Sequence, residues 1–255
     1  MLVPSCDAYS DLWAPFFALF WRFWPDCPFP VYLGANAGTF DHPRVIALPS
    51  NQGTNWANRV REHVAAVPTP YVLLVLEDFF WRRPTPTGEV LSLLQALRRL
   101  DGEMLRLTNR PPPDHRVPGY PAIGRIDPGA PFRASTQAAI WRRATLLHLL
   151  APGESIWEFE VGGSRRSDQW PDGFYSTWDQ VLPYAYHVVE KGKWFRHEAR
   201  RFARMGIGCD FAARPVMTRS EALGTRMDWT KSWFLHRLPW RTRLRVQALA
   251  RRLGV

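Results

Sequence analysis

The segment from Tyr71 to Trp81 constrains the fold of this chain most, because a run of apolar residues there ends abruptly in two adjacent acids. The run shows no polar alternation, a pattern typical of a strand buried on both faces of an α/β sheet. Glu77 and Asp78 then fall at the carboxyl end of that strand. Ligands of open α/β sheets bind in the crevice outside such ends. The acid pair therefore indicates either a ligand site or a cap for the following loop, and the segment alone favours neither.

The segments before this strand alternate between strand and helix patterns. Short apolar runs predict strands at residues 1–4, 31–34 and 45–48, and helical spacing of apolar residues predicts helices at 12–24 and 56–67. Such an alternation predicts parallel strands joined by helical crossovers. The later predicted elements are a helix at 89–100, a strand at 104–107, a Pro-rich irregular stretch at 109–131, a helix at 135–150, a Gly/Ser/Arg loop at 162–167 and a strand at 181–189.

Size and composition predict a core-forming protein of the cytoplasm. The chain has 255 residues, of which 46% are hydrophobic, enough for one large domain or two small ones. It has no run of eighteen apolar residues, and it does not begin with a basic region followed by an apolar core, so neither a membrane-spanning helix nor a signal peptide is expected. The first strand is unusually short, which leaves a start further upstream open. Cys6, Cys27 and Cys209 form no disulfide pattern, which favours a reducing compartment.

The charge of the chain favours an anionic partner. The net charge is +10, and only three of the 33 basic residues are lysines. Arginine offers a planar fork suited to phosphate. Nucleic acid, an anionic membrane and phosphorylated small molecules are all compatible with this charge. Residues 211–255 are predicted to form a basic, partly amphipathic appendage to a catalytic domain at 1–210, and the appendage either lies on an anionic membrane or packs back on the domain.

Several segments, in their order along the chain, together resemble a known family. They are the polar loop after the first strand, the second strand ending in Asn36, the strand ending in Glu77 and Asp78, the segment 132–143 and the Trp/Glu-rich segment 154–160. This order resembles bacterial GT-A glycosyltransferases of polysaccharide and lipopolysaccharide synthesis, over roughly residues 1–195. The resemblance implies an α/β fold of GT-A type, with a Rossmann-like, mostly parallel central sheet and flanking helices, here followed by a basic C-terminal helix.

The resemblance also implies which residues bind the donor, a nucleotide-sugar. Donor-binding positions are Ser5, Cys6, Asp7, Asn36, Glu77, Asp78 and Gln137. Glu77 and Asp78 occupy the place of the Asp-x-Asp motif of the family, which touches the ribose and holds a divalent cation. Phe79 stands where the family has a further acid, so two alternatives stay open: Mn²⁺ or Mg²⁺ on Asp78, or a metal-independent clamp on the diphosphate. The candidate clamp residues are Arg165, Arg166, Lys191 and Lys193.

The catalytic base and the acceptor contacts follow from the same resemblance. Glu160 is the first candidate for the general base and Glu158 the second, and such a base favours inversion of the transferred sugar. Trp157 and Trp170 are candidate stacking platforms for the acceptor. Each has a plainer alternative: residues 157–160 could form an edge strand with solvated acids, Gln137 could be a surface residue, and residues 162–167 could be a solvated loop.

These observations predict a hexosyltransferase-like enzyme that acts on a glycan or lipid-linked acceptor, at the inner face of the membrane. A nucleic-acid-binding protein is disfavoured because no nucleic-acid motif is present. A non-catalytic GT-A scaffold within a polysaccharide assembly complex is the remaining alternative. The seven His show no metal-ligand spacing, and His187 is either a late metal ligand or structural. No Gly-x-Ser-x-Gly motif supports a serine hydrolase.

Overall fold

A computed structural model describes residues 1–225 apart from 52, 54 and 187, together with residue 242. Nine strands form the central sheet of this described part. In chain order they are β1 (Leu2–Pro4), β2 (Val31–Ala35), β3 (Val45–Pro49), β4 (Tyr71–Leu74), β5 (Met104–Arg106), β6 (His115–Val117), β7 (Tyr120–Arg125), β8 (Ala139–Arg142) and β9 (Phe174–Thr177). A separate hairpin consists of β10 (Val189–Glu190) and β11 (Lys193–Trp194).

The strand order in the sheet is β3-β2-β1-β4-β8-β5-β9-β7-β6. Strands β3, β2, β1 and β4 are parallel to one another, and so are β5 and β9. Strands β7 and β8 run against their neighbours. The expected α/β fold, with a mostly parallel central sheet and flanking helices, is confirmed. The predicted C-terminal helix falls largely outside the described residues.

Helices cover both faces of the sheet. They are α1 (Trp13–Phe23), α2 (Trp56–Ala66), α3 (Thr87–Arg99), α4 (Arg143–Leu149), α5 (Ile156–Ser167) and α6 (Arg196–Arg204), and a 3₁₀ helix spans Asp7–Leu12. One core contains buried residues of α1, α3 and α6, and the other contains those of α2, α4 and α5. Much of the aromatic content is structural, since Phe16 and Phe20 are buried and both meet the buried Trp81 edge to face. No helix within the described ranges is both long and apolar enough to cross a bilayer.

The predicted helix at 135–150 is wrong in its first half. Residues 139–142 form β8, which fills the gap between β4 and β5, and only 143–149 are helical. Ala139 pairs with both Leu74 and Arg106, so sheet pairing on two sides overrides the local helical preference. The predicted strand at 181–189 is also wrong, because the strand of this region is β9, at 174–177, and residue 189 belongs to β10. The Pro-rich stretch contains the β6–β7 hairpin.

The predicted loop at 162–167 is wrong as well, since these residues form the second half of α5. The helix also excludes the edge strand considered for residues 157–160. Gly162 and Gly163 occur within the helix because neighbouring side chains cross it closely. A Cβ at Gly162 would lie 2.5 Å from Glu154 Oε1, and one at Gly163 would lie 3.1 Å from the Phe159 ring. The glycines thus make room for packing across the helix.

Candidate functional site

The ends of β1 and β4 lie side by side, because these two strands are neighbours in the sheet. The Ser5 amide donates to Gly34 O at 2.8 Å, and the Ser5 side chain hydrogen-bonds the Glu77 carboxyl group. The first polar loop and the acid pair therefore meet, as their positions after parallel strands predict. We call this region, formed by residues 5–9, Asn36 and Glu77–Asp78, the strand-end crevice.

Asp7 and Asn36 build one rim of the strand-end crevice. The Asp7 carboxylate accepts hydrogen bonds from the amides of Asn36, Ala37 and Gly38 at 3.0–3.3 Å. In return, Asn36 Oδ1 accepts from the Asp7 amide at 3.3 Å. Partial burial raises the pKa of Asp7, but these amides outweigh it and the net pKa is lowered. The two predicted donor-binding residues thus hold the first and second loops together.

Glu77 and Asp78 form an electrostatically unequal pair. Burial raises the pKa of the Glu77 carboxyl group, and the neighbouring Asp78 raises it further. The hydrogen bond from Ser5 and the charge of Arg214 only partly oppose this shift. Glu77 therefore retains its proton well above the ordinary range of a glutamate, and it can donate a hydrogen bond to a ligand near neutral pH.

Two arginines that the sequence did not single out lie at the strand-end crevice, Arg214 near Glu77 and Arg59 near the first polar loop. Arg214 binds Asp11 through Nε and Nη2 at 2.8 and 2.9 Å, and its guanidinium group lies 4.6 Å from the Tyr9 ring centre. Arg214 also lowers the pKa of Glu77. Arg59 of α2 is buried. Burial raises the pKa of Cys6 and the charge of Arg59 partly opposes that rise, whereas at Asp7 the same charge adds to the lowering of the pKa by the backbone amides. No local motif marks either residue, because Arg214 belongs to the predicted appendage and Arg59 lies within an ordinary amphipathic helix.

Gln137 lies at the same sheet edge, since β8 runs antiparallel to β4 and begins where β4 ends. Gln137 Oε1 accepts a hydrogen bond from the Tyr184 hydroxyl at 2.9 Å. The Tyr184 ring stacks on Phe79 with centroids 4.3 Å apart and an interplanar angle of 9°. Tyr184 therefore connects Phe79, the residue after the acid pair, to Gln137.

Glu160 of α5 adjoins this edge through Thr136. Glu160 Oε1 accepts hydrogen bonds from both the amide and the hydroxyl of Thr136 at 2.8 Å. Burial raises the pKa of Glu160, while the Thr136 hydrogen bonds and the buried Arg106 partly oppose the shift. Arg106 donates to Phe132 O and Pro111 O, each at 2.8 Å, and so holds the loops around it. Glu160 is therefore buried, and its hydrogen bonds hold it against Thr136, the residue before Gln137.

Two further predicted site residues, Glu158 and Trp157, lie at the solvent-exposed surface of α5. Glu158 closes a capping box with Ser155, in which the Ser155 amide donates to Glu158 Oε2 at 2.7 Å. That amide lowers the pKa of Glu158. The Trp157 side chain is 74% exposed and borders a shallow cavity with Pro152 and Val161. The structure therefore separates Glu158 and Trp157 from the buried Glu160.

The structure places the four predicted clamp residues in two different regions. Arg166 binds Glu154 at 2.6 and 2.8 Å at the end of α5, beside the exposed Arg165. Lys191 lies exposed in the β10–β11 turn, and Lys193 of that hairpin pairs with Glu221 at 2.5 Å. Arg166 and Lys193 thus already bind carboxylates.

Trp170, the second predicted platform, is half-buried and meets His148 edge to face at 5.2 Å. Its carbonyl accepts a hydrogen bond from the buried Arg133 at 2.7 Å. Across the described ranges, no three His, Cys, Asp or Glu side chains are placed to hold a metal ion together. The strand-end crevice carries the carboxyl groups of Asp7, Glu77 and Asp78, and His187 lies outside the described residues.

Comparisons with known proteins give only distant similarities. No family model matches the chain. No curated protein matches it either. Among solved structures, it is similar to S. aureus TarS 1–349 (14% identity, TM-score 0.43, covering 72% of this chain and 58% of that one). It is similar to a longer S. aureus TarS chain (13% identity, TM-score 0.42, covering 72% of this chain and 35% of that one). It is also similar to a mycobacterial protein (12% identity, TM-score 0.42, covering 86% of this chain and 75% of that one). The chain thus spans less than two thirds of either TarS chain, and similarities at this level assign no activity to it.

Proposed function

We propose that this protein is a glycosyltransferase that moves a sugar from a nucleotide-sugar to a hydroxyl group of a glycan or lipid-linked acceptor. The observation that carries the proposal is the strand-end crevice, where Ser5, the Glu77–Asp78 pair and Arg214 meet at the carboxyl ends of parallel strands. Ligands of open α/β sheets bind at such a crevice. The proposal includes a role in surface polysaccharide synthesis at the cytoplasmic face of the membrane.

The charges around the crevice support binding of a nucleoside diphosphate. Departure of the diphosphate requires fixed positive charge, which Arg214 and Arg59 would supply. The protonated Glu77 would donate a hydrogen bond to the nucleotide, beside Ser5, Cys6 and Asn36. Asp78 is compatible with Mn²⁺ or Mg²⁺, since these ions accept one protein carboxylate together with phosphate oxygens and waters. Such an ion would act as a Lewis acid on the diphosphate, and the arginines would do so alone in a metal-independent enzyme.

Glu160 is the better candidate for the general base. Its raised pKa makes it a stronger proton acceptor near neutral pH than an ordinary glutamate, whereas the pKa of Glu158 is lowered. In the proposed reaction, the acceptor hydroxyl loses its proton to Glu160 as its oxygen attacks the anomeric carbon, and the bond to the diphosphate breaks with inversion. Gln137 would orient a sugar beside the base, with Trp157 and Trp170 as outer contacts for a longer acceptor.

A thermal-shift panel tests the donor class. UDP-, GDP-, CMP- and dTDP-sugars would each be added with Mn²⁺ and with EDTA. A ligand that binds only the folded state raises the melting temperature, by an amount that grows with its concentration over its Kd. We expect one nucleotide class to raise it, and persistence of that shift in EDTA would assign the diphosphate to the arginines. Absence of a shift with every donor would contradict the proposal and favour the scaffold or nucleic-acid alternatives.

Substitution of the two glutamates tests the base. Glu160→Gln keeps an oxygen that accepts from Thr136 but removes the proton acceptor, so we expect kcat to fall about 10²–10⁴-fold. The donor-induced thermal shift should survive, because binding does not need the base. Glu158→Gln is the matched control, and we expect its kcat to stay within about threefold of the wild type because its side chain only caps α5. Full transfer by Glu160→Gln would show that Glu160 is not the base.

A further inference from the structure

A group of arginines on and beside α6 lines a surface groove that shares no lining residue with the strand-end crevice. Arg196, Arg200 and Arg204 are spaced four residues apart and therefore share one side of the helix. Arg219 comes from the helical segment 219–225. The groove has a volume of about 470 Å³. It is lined by Phe195, Arg196, His197, Arg200, Arg204, Arg219, Ala222 and Leu223, and we call it the α6 groove.

The positive charge of the α6 groove is not neutralised within the part of the chain that the structure describes. None of its four arginines takes part in an ion pair there. The nearby acids already bind other cations, since Glu198 pairs with Arg82 and Glu221 pairs with Lys193. Like charges four residues apart destabilise a helix. The groove is therefore complementary to an anion that neither α6 nor any other described residue provides.

The groove combines this charge with apolar surface. Leu223 on its wall is 61% exposed, while Phe195 beneath is buried. Guanidinium groups next to an exposed apolar side chain match the interface of an anionic bilayer, where phosphates lie above the acyl chains. The chain that follows this wall continues the charge, because residues 226–255 carry eight Arg or Lys and one Asp. A soluble phosphate would match the arginines but would leave the leucine without a partner.

We propose that the α6 groove binds the phosphate headgroups of an anionic phospholipid surface. Arg82, four residues after Asp78, contacts Glu198 of α6, and Phe80 packs on Phe202 with ring centroids 5.1 Å apart. The groove is thus attached to the segment that leaves the strand-end crevice, so binding would orient that crevice relative to the bilayer. The proposal extends the proposed function to a membrane-bound acceptor, but vesicle binding requires no sugar transfer, so the two proposals can fail separately.

Vesicle flotation with the full chain tests the groove. The vesicles would be phosphatidylcholine alone or an equal mixture with phosphatidylglycerol. The double variant Arg200→Gln/Arg204→Gln is compared with Arg98→Gln/Arg99→Gln, which also removes two exposed arginines, here from the end of α3. Each basic residue near an anionic surface strengthens binding several-fold, so we expect the groove variant to bind the mixed vesicles roughly 30-fold more weakly. The control should change by less than about threefold, because it removes charge away from the proposed contact.

A second variant, Leu223→Gln, and a second ligand, a single-stranded oligonucleotide, distinguish a lipid site from a general effect of charge and from a nucleic-acid site. Leu223→Gln should weaken vesicle binding without changing the net charge, and thermal melts establish that every variant is folded. Equal losses in both double variants, or no preference of the wild type for phosphatidylglycerol, would overturn the proposal. So would a groove variant that loses binding to a single-stranded oligonucleotide but keeps binding to vesicles, since the groove would then be a nucleic-acid site. The donor-induced thermal shift should be unchanged in the groove variant.

Discussion

At the scale of single residues, Arg214 has the most consequences. It joins the end of the described chain to the first loop, since its partner Asp11 lies 203 positions earlier. The two side chains are 9% and 14% exposed, so this pair is largely removed from water. Arg214 also contacts Tyr9, and its charge partly opposes the rise in the pKa of Glu77 that burial causes. One guanidinium group thus fastens the first loop and brings positive charge to the strand-end crevice.

Replacement of Arg214 should affect both stability and donor binding. Arg214→Gln leaves Asp11 without its cation, and we expect a loss of about 3 kcal/mol in the free energy of unfolding. The KM for the donor should rise about 10-fold or more, because a charge-assisted contact to the diphosphate is lost. Urea unfolding and steady-state kinetics measure the two effects. Arg214→Lys keeps the positive charge but not the planar guanidinium group, so it should recover part of the lost stability and part of the lost donor affinity. An unchanged KM in Arg214→Gln would show that Arg214 does not contact the donor.

The strand-end residues were predictable, and the arginines were not, for one physical reason. Ser5, Asn36 and Glu77 follow buried strands, and parallel strands bring their carboxyl ends to one edge of the sheet. Arg59 and Arg214 lie at that edge only because of tertiary packing, so no residue spacing in the sequence identifies them. The four predicted clamp residues follow no buried strand, and the structure places them in two different regions, at the end of α5 and in the β10–β11 hairpin. The roles of these residues in binding and catalysis remain predictions that the experiments above address.

At the scale of elements, the first half of the chain follows its local pattern closely. Helix α2 and strand β4 begin where the pattern places them, at Trp56 and Tyr71. Strand β8 and helix α5 do not follow theirs. Strand β8 owes its conformation to β4 and β5 on either side, and α5 contains two glycines because Glu154 and Phe159 pack against them. Neither cause can be inferred from neighbouring residues.

Gly34 of β2 tests how closely α2 packs on the sheet. A Cβ at this position would lie 2.2 Å from His63 Nδ1. The His63 ring is buried and its Nε2 lies 3.2 Å from Ala35 O, so it cannot easily move away. We expect Gly34→Ala to lower the free energy of unfolding by about 1–3 kcal/mol in urea titrations.

Gly88 provides the matched control for this substitution. It lies in the first turn of α3, and a Cβ there would meet no heavy atom within 4 Å. Gly88→Ala should therefore raise the free energy of unfolding by about 0.5–1 kcal/mol, because alanine loses less backbone entropy in a helix. Equal effects of the two substitutions would show that β2 and α2 are less closely packed than described.

At the scale of the whole molecule, the protonation of two carboxyl groups is coupled to folding, one in the strand-end crevice and one on α5. Burial raises the pKa of Glu77 to about 8 and also raises that of Glu160. A carboxyl group with a raised pKa in the folded state binds protons more tightly there than in the unfolded chain. Its contribution to stability is therefore fully present below the ordinary pKa of a glutamate and is lost as pH rises through the raised value.

Glu77→Gln should consequently change the pH profile of stability. Glutamine does not ionise, so the free energy of unfolding of the variant should improve relative to the wild type as pH rises from about 5 to about 9. Glu158→Gln should show the opposite sign, because the pKa of Glu158 is lowered. The advantage of the wild type over that variant should be present at neutral pH and vanish in acid. Urea titrations from about pH 3 to about pH 9 measure both, and parallel profiles for Glu77→Gln and the wild type would contradict the coupling.

The hydrogen bonds between Glu160 and Thr136 bear on how relatives of this protein should be interpreted. Because the carboxylate fastens α5 to the residues before β8, its loss would loosen the fold whether or not sugar is transferred. Selection for folding alone would then preserve an oxygen that accepts from Thr136, so this glutamate can persist in descendants that no longer catalyse any reaction. Its presence in a homologue is therefore poor evidence of activity. Asp78 is proposed to serve mainly the donor. Its presence or absence should therefore distinguish active from inactive lineages better than Glu160 does.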